Sequence, residues 1–250
     1  MRIAVAGGTG LVGRYVVDAA QRSGHDIVIL SRSHGVDLRS GRNLDSALDG
    51  VEAIVDVTNP GADERNTAME FFSDIATRLQ SGGAAHRVGH IIILSITGLE
   101  RAPESKYYAA KLRQEHIALA GPVPATVLRA TQFHEYAVQM LHRNRRDDVA
   151  YVRSMRVRPV AARSVAKVLV QLVGGPPLGR ATDLGGPEEA DLVALAARFV
   201  ERYGLAMRVV AVDPDPAVPF GATLPGPDAR LEGPTFDEWL ESEDAARLVA

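Results

Sequence analysis

The chain has 250 residues, 46% of them hydrophobic, and a formal net charge of −3 at pH 7. That length suits one large α/β domain or a domain with a small cap, and the slight acidic excess argues against a nucleic-acid binder, which normally carries a basic surplus. The absence of cysteine excludes disulfides, thiolate nucleophiles and cysteine-ligated metals, and with no secretory leader pattern and no apolar run near ~18 residues a cytoplasmic protein that does not span a membrane is expected.

The N-terminus reads as strand, turn and helix. Ile3 to Ala6 is a solidly apolar run, Gly7, Gly10 and Gly13 follow at three-residue spacing, and Leu11 to Ala20 is helix-compatible. This order brings free backbone N–H groups and a helix N-terminus to one point, where a pyrophosphate can sit. Thr9, Gly10, Leu11, Val12 and Gly13 form the floor of that point, and the glycines permit the tight turn, close backbone approach and close helix packing. A second strand, Asp26–Leu30, ends in Ser31, Arg32 and Ser33. An acid at this place binds the ribose 2′-hydroxyl of NAD; an arginine flanked by hydroxyls suits a 2′-phosphate instead, which favours NADP(H) over NAD(H). Asp37 and Leu38 fall on a short third strand and either reach the adenine or form a plain turn.

Further apolar strands are expected at Ala53–Val57, His90–Leu94 and Thr126–Arg129, with helical periodicity at Tyr15–Ser23, Asn43–Ala47, Asn66–Gln80 and Tyr108–Leu119. Alternating βα units with solidly apolar strands predict a parallel, doubly wound sheet of the Rossmann type with its ligand crevice at the carboxyl ends of the strands. Ser95 follows the fourth long strand, where a hydroxyl polarises a substrate carbonyl; Thr97 competes, because a one-residue error in the strand end swaps which side chain faces the crevice. Tyr107 and Lys111 are four residues apart and share one helix face. A cation beside a phenol lowers its pKa toward a range useful for proton transfer. Lys111 is one of only three lysines, with Lys106 and Lys167. Gln132, Phe133 and His134 follow the next strand end and are candidates to touch substrate.

Beyond Thr131 the pattern loosens. Helices are expected at His134–Arg143, Arg163–Val173 and Glu188–Tyr203, short strands at Thr182–Leu184 and Arg208–Val212, and a charged surface turn at 145–148. Met140 and Leu141 read as core, and Arg153, Arg156 and Arg158 as a solvated strand edge. The Pro- and Gly-rich 213–234 segment reads as an ordered loop, and Thr235-Phe-Asp-Glu238 as a capping box opening a last helix at Trp239. The layout is effectively one domain: a nucleotide-binding core over 1–132, a return to the sheet over 160–185, and a small C-terminal substrate-binding region from 133–159 and 186–250. No metal-ligand motif is present.

Together Gly7-Gly-Thr-Gly-Leu-Val-Gly13, Ser95 and Tyr107-x-x-x-Lys111 resemble the short-chain dehydrogenase/reductase superfamily. The glycine pattern, Asp37-Leu38, Asp56-Val-Thr-Asn59, Leu128-Arg-Ala-Thr-Gln-Phe133 and the terminal Gly233-Pro-Thr-Phe-Asp-Glu-Trp239 look more like its atypical, NmrA-like branch of NAD(P)H-binding proteins. The resemblance implies Tyr107 as catalytic acid/base, Lys111 as a ligand of the nicotinamide ribose that tunes it, and Ser95 as the group orienting a carbonyl. It also implies a cofactor trough lined by Val57, Thr58 and Asn59 and by Ala130, Thr131 and Gln132. Two departures are visible: Arg163-Ser164 replaces an acidic element, and Ser95 is twelve residues before Tyr107 rather than thirteen. The expected function is an NADP(H)-dependent oxidoreductase acting on a small carbonyl compound. The alternatives are a non-catalytic NADP(H) sensor, or an epimerase, dehydratase or quinone reductase on the same fold.

Overall fold

The computed structural model describes residues 1–61, 67–219 and 221–249. In chain order its elements are β1 Arg2–Ala6, α1 Leu11–Arg22, β2 Asp26–Leu30, α2 Leu44–Ala47, β3 Ala53–Asp56, α3 Ala68–Ala85, β4 His90–Ile96, α4 Lys106–Ala120, β5 Ala125–Ala130, α5 His134–Arg143, β6 Arg145–Arg146, β7 Val149–Arg153, β8 Arg156–Val157, α6 Ala162–Val173, β9 Gly179–Arg180, β10 Leu184–Gly185, β11 Ala190–Asp191, α7 Leu192–Arg202, β12 Arg208–Val212, β13 Arg230–Leu231, α8 Phe236–Leu240 and α9 Glu243–Ala246. The main sheet runs β13-β10-β5-β4-β3-β1-β2 with β9 also on β5, and every pairing in it is parallel.

Strand side chains alternate between two helical layers. Ile3, Val5, Val55 and Ile92 pack with Val12, Val16, Val165 and Leu169 of α1 and α6. Ala4, Ala6, Ile54, Ile91 and Ile93 pack with Phe72, Ile75, Leu79 and Ala110 of α3 and α4. This is the doubly wound Rossmann architecture that the apolar strand runs imply. A third core, with Leu195, Phe199, Phe236 and Trp239 at its centre, joins α5, α7 and α8 to the small β12-β7-β6 sheet. Leu141 lies in it fully buried and Met140 packs against it. Among the described residues no helix is long and apolar enough to cross a membrane.

The structure departs from the sequence pattern where partners far along the chain intervene. The expected helix at Glu188–Tyr203 begins only at Leu192, because Asp191 caps it by accepting from the Val193 N–H (2.8 Å), while Ala190 and Asp191 pair antiparallel with Val157 and Arg156. The charged turn is a hairpin whose Arg145 and Arg146 pair with Ala150 and Val149. Asp37-Leu38 makes no strand, only an isolated bridge from Asp37 to Arg42. The first residue of the expected Asn66–Gln80 helix lies outside the described residues, and α3 runs on to Ala85. Arg156 and Arg158 share Glu189 as an ion-pair partner. The capping box at Thr235 and Glu238 forms as expected.

Glu135, at the start of α5, is 1% exposed. Its Oε2 accepts from the Ala162 N–H (3.2 Å) at the start of α6, and its Oε1 has no hydrogen-bond partner. Burial pushes its carboxyl up to about 7, and nearby Asp244 pushes the same way against Arg163. A raised carboxyl pKa means that the unfolded chain gives up this proton first as pH rises, so folding stability falls between about pH 4.5 and 7 and then levels. Glu135→Gln keeps an oxygen for Ala162 and removes the charge. Its Tm relative to wild type should therefore climb over that window, by an amount worth about 1–3 kcal/mol at pH 8, and equal Tm differences at pH 4.5 and pH 8 would contradict a buried, titrating Glu135.

Candidate active site

The glycine turn is set by sterics. Gly7 has a φ of +79°, and a Cβ on it would lie 3.1 Å from the backbone of Val57 and Thr58. A Cβ at Gly13 would meet the Gly7 carbonyl and come within 2.7 Å of the Gly8 Cα. The Gly10 N–H donates to the Gly7 carbonyl (2.9 Å), closing the turn between β1 and α1, and the Gly7 N–H donates to the Leu30 carbonyl (3.1 Å), tying that turn to the end of β2. Gly10 then begins α1 without a side-chain cap, and no acid stands in the first turn. The leading N–H groups and the positive end of the helix dipole are left for an anion. Thr9 and Gly10 are exposed there, Leu11 is half-buried, and Val12 is buried.

Beside the turn, Arg32 to His34 form a short 3-10 turn after β2. The Ser31 hydroxyl bonds to the Ser33 hydroxyl (3.1 Å) and to His34 Nδ1 (2.9 Å). Arg32 is exposed and has no ion-pair partner among the described residues. Asp37 spends both oxygens on its own turn, accepting from the Arg39 N–H (3.0 Å) and the Ser40 hydroxyl (2.8 Å), and Leu38 is core. The plain-turn reading fits this arrangement.

The next strand end is built on a buried acid. Asp56 has no solvent exposure. Its Oδ1 accepts from the Thr58 N–H (2.9 Å) and hydroxyl (2.7 Å), and its Oδ2 accepts from Gln114 Nε2 (2.8 Å). Asn59, exposed just beyond, accepts from the Tyr107 hydroxyl (2.9 Å). The adjacent Val57 N–H donates to the Ala6 carbonyl (3.0 Å). Residues 57–59, expected to line a cofactor trough, run along the glycine turn and end on Tyr107.

Tyr107 and Lys111 share a face of α4, but they bond to different partners. Lys111 is 4% exposed; its Nζ donates to the Leu94 carbonyl (2.7 Å) and to Gln114 Oε1 (2.6 Å) and lies 4.6 Å over the Phe72 ring. The Tyr107 ring meets the edge of the same Phe72 at 5.9 Å. Burial pulls Lys111 down to about 8, against the nearby carboxylates of Asp56 and Glu115.

Ser95 is committed to Glu115, on the same helix α4 that carries Tyr107. Its hydroxyl donates to Glu115 Oε1 (2.5 Å), and fully buried Glu115 is held by Arg129 at 2.8 and 2.7 Å. Arg129 also grips Glu100 through two bonds. Thr97, two residues on, is 1% exposed, with its N–H on the Ala130 carbonyl (3.0 Å). On the β5 side Ala130, Thr131 and Gln132 are buried. The Thr131 hydroxyl donates to the Arg158 carbonyl (2.5 Å), and Gln132 Oε1 has no hydrogen-bond partner. Phe133 bridges to Val160. His134 belongs to the third core: its ring packs on Phe236 and Trp239, Nε2 bonds to the Pro234 carbonyl (3.1 Å), and burial pulls it down to about 4. Neutral and 1% exposed, it is not brought to Tyr107.

Sequence reading missed Gln114, Glu115 and Arg129. Their one signal was position: Gln114 lies seven residues past Tyr107, on the helix face that carries Lys111.

Residues 3–80 match the model of the NAD dependent epimerase/dehydratase family. No curated protein matches the chain. Among solved structures, MoeE5 in complex with UDP-glucose and NAD superposes with a TM-score of 0.80 at 15% identity, over 99% of each chain. A short-chain dehydrogenase/reductase superfamily protein from Agrobacterium tumefaciens with bound NAD gives 0.74 at 18% identity, over 99% of this chain and 97% of that one. A dTDP-4-dehydrorhamnose reductase from Clostridium acetobutylicum gives 0.70 at 13% identity over 90% of each chain. The family match is confined to the N-terminal third, and the likeness to the solved structures is one of fold.

The steric argument is open to a direct test. Gly13→Ala forces a Cβ onto the Gly7 carbonyl and should overpack the turn by about 1–3 kcal/mol, lowering Tm by about 3–10 °C. A Tm within about 1 °C of wild type would mean that α1 is free to shift away from the turn.

Proposed function

We propose that the protein is an NADP(H)-dependent carbonyl reductase of the atypical, NmrA-like branch of the short-chain dehydrogenase/reductase superfamily. One juxtaposition carries the reading: the uncapped N-terminus of α1 on the glycine turn, and, one strand away, the Tyr107 hydroxyl on Asn59 at 2.9 Å. An anion cradle and a placed proton donor lie together at the carboxyl ends of neighbouring central strands. The family match over residues 3–80 and the NAD-bound neighbours support the nucleotide half of it.

The residues fit the group. Thr9 and Leu11 to Gly13 hold the pyrophosphate with backbone N–H groups, Gly10 shaping the turn through its own N–H on Gly7. Arg32, without an ion-pair partner among the described residues and flanked by the hydroxyls of Ser31 and Ser33, takes the 2′-phosphate by charge-assisted hydrogen bonds. Val57, Thr58 and Asn59 line the trough, and the unpartnered Gln132 Oε1 offers an acceptor at its far side beside Ala130 and Thr131. A bound nicotinamide supplies a hydride for a carbonyl carbon. Tyr107 then gives its phenolic proton to the carbonyl oxygen, and the Lys111 charge one helical turn away favours the phenolate left behind. Ser95 is spent on Glu115, which leaves Thr97 as the remaining candidate hydroxyl for orienting the carbonyl.

A second reading rests on the family match itself: an epimerase or dehydratase uses the same tyrosine with no net consumption of the nucleotide. Titration of protein fluorescence with NADPH and NADH separates the two halves. NADPH is expected to bind more tightly than NADH, and Arg32→Ala to lose about 10- to 100-fold of NADPH affinity with little change for NADH. Tyr107→Phe should bind NADPH normally and reduce a panel of carbonyls about 100- to 10,000-fold more slowly. Equal affinity for both nucleotides in wild type and variant defeats the Arg32 assignment; wild-type binding with no NADPH oxidation by any carbonyl favours the second reading.

A further inference from the structure

Lys111, Gln114 and Asp56 form a chain of hydrogen bonds whose polarity has only one solution. The Asp56 carboxylate can only accept, and the Lys111 ammonium can only donate. The Gln114 amide between them is fully buried and must therefore turn Nε2 to Asp56 (2.8 Å) and Oε1 to Lys111 (2.6 Å), as it does. Asp56 is itself fixed, because its other oxygen holds the Thr58 N–H and hydroxyl, and the Thr58 backbone abuts Gly7.

We propose that Gln114 is the positioning residue for Lys111: it carries the fixed polarity of Asp56 across α4 and so holds the ammonium against the Leu94 carbonyl, on the Phe72 ring beneath Tyr107. The proposal rests on the reading of Tyr107 and Lys111 as the working pair. Through it the glycine turn, the Asp56–Thr58 strand end and the lysine are one mechanically continuous unit. The charged groups facing Lys111 are Asp56 from β3 and Glu115 from α4, the latter occupied by Arg129 and Ser95.

With only three lysines in the chain, each side chain can be followed by NMR with labelled lysine on the intact protein, Lys111 being identified by the signal lost in Lys111→Met. The wild-type Lys111 signal should titrate near pH 8. Gln114→Leu, which removes an acceptor of the ammonium, should move it down by about one pH unit or more. The isosteric Gln114→Glu, which places a charge there, should move it up, and serves if the leucine variant does not fold. Asp56→Asn makes the sharper test. Thr58 still requires the oxygen of the new amide, so its Nδ2 faces Gln114, which must flip and present Nε2 to the lysine. The downward shift caused by Asp56→Asn should accordingly shrink by at least about half in a Gln114→Leu background. Equal shifts in both backgrounds, or a Lys111 titration unmoved by both Gln114 variants, overturn the proposal. NADPH titrations on the same samples report separately on nucleotide binding, since a protein that binds no NADPH still yields the Lys111 titration.

Discussion

A carboxylate taken fully out of water must be given donors or give up its charge, and Asp56 is where this fold meets that requirement. Its three donors come from Thr58, two residues on, and from Gln114 on α4. The first two bend the chain after β3 into the turn that Gly7 abuts. The third ties α4 to the middle of the sheet. The glycine turn meets Asp56 through Thr58, and the lysine of α4 is linked to it through Gln114.

The same accounting explains why α4 carries so many polar residues on a buried face. Gln114 and Glu115 are fully buried and Lys111 is nearly so, an arrangement that costs stability unless every member is satisfied. Two separate sets achieve this. Asp56, Gln114, Lys111 and the Leu94 carbonyl form one; Ser95, Glu115, Arg129 and Glu100 form the other. Gln80 of α3 adds a neutral tie, donating to the Ala118 and Val123 carbonyls and accepting from the Val123 N–H. Register between α4 and the sheet is fixed by hydrogen bonds as much as by apolar packing.

What was legible in the sequence is what depends on neighbours in the chain. The glycine turn is a local steric requirement, the strands are apolar runs, and the capping box and helix faces follow from spacings of three and four. The Tyr107–Lys111 spacing was legible for the same reason. The directions of those side chains were not, because they are decided by residues 17 to 58 positions away: Lys111 by Leu94, Gln114 by Asp56, Tyr107 by Asn59. Ser95 shows the difference plainly. Its place at a strand end was readable, whereas its commitment to Glu115 required knowing which helix would cover that face. The misplaced start of α7 has the same origin, since β11 exists only because β8 is there to pair with it.

His134 and Glu135 mark the limit of reading chemistry from residue type. Both are titratable, adjacent and buried, and neither faces Tyr107. One is an imidazole kept neutral among Phe236 and Trp239; the other is a carboxyl lending one oxygen to the start of α6. Their burial joins the layer of α1 and α6 to the C-terminal core, because α6 belongs to the first and Trp239 to the second. Tyr107, by contrast, is half-buried, with its hydroxyl on Asn59 just past the end of β3. Tyr107 thus stays half-exposed at the carboxyl ends of the central strands, while the buried ionisable groups are spent on holding the surrounding elements in place.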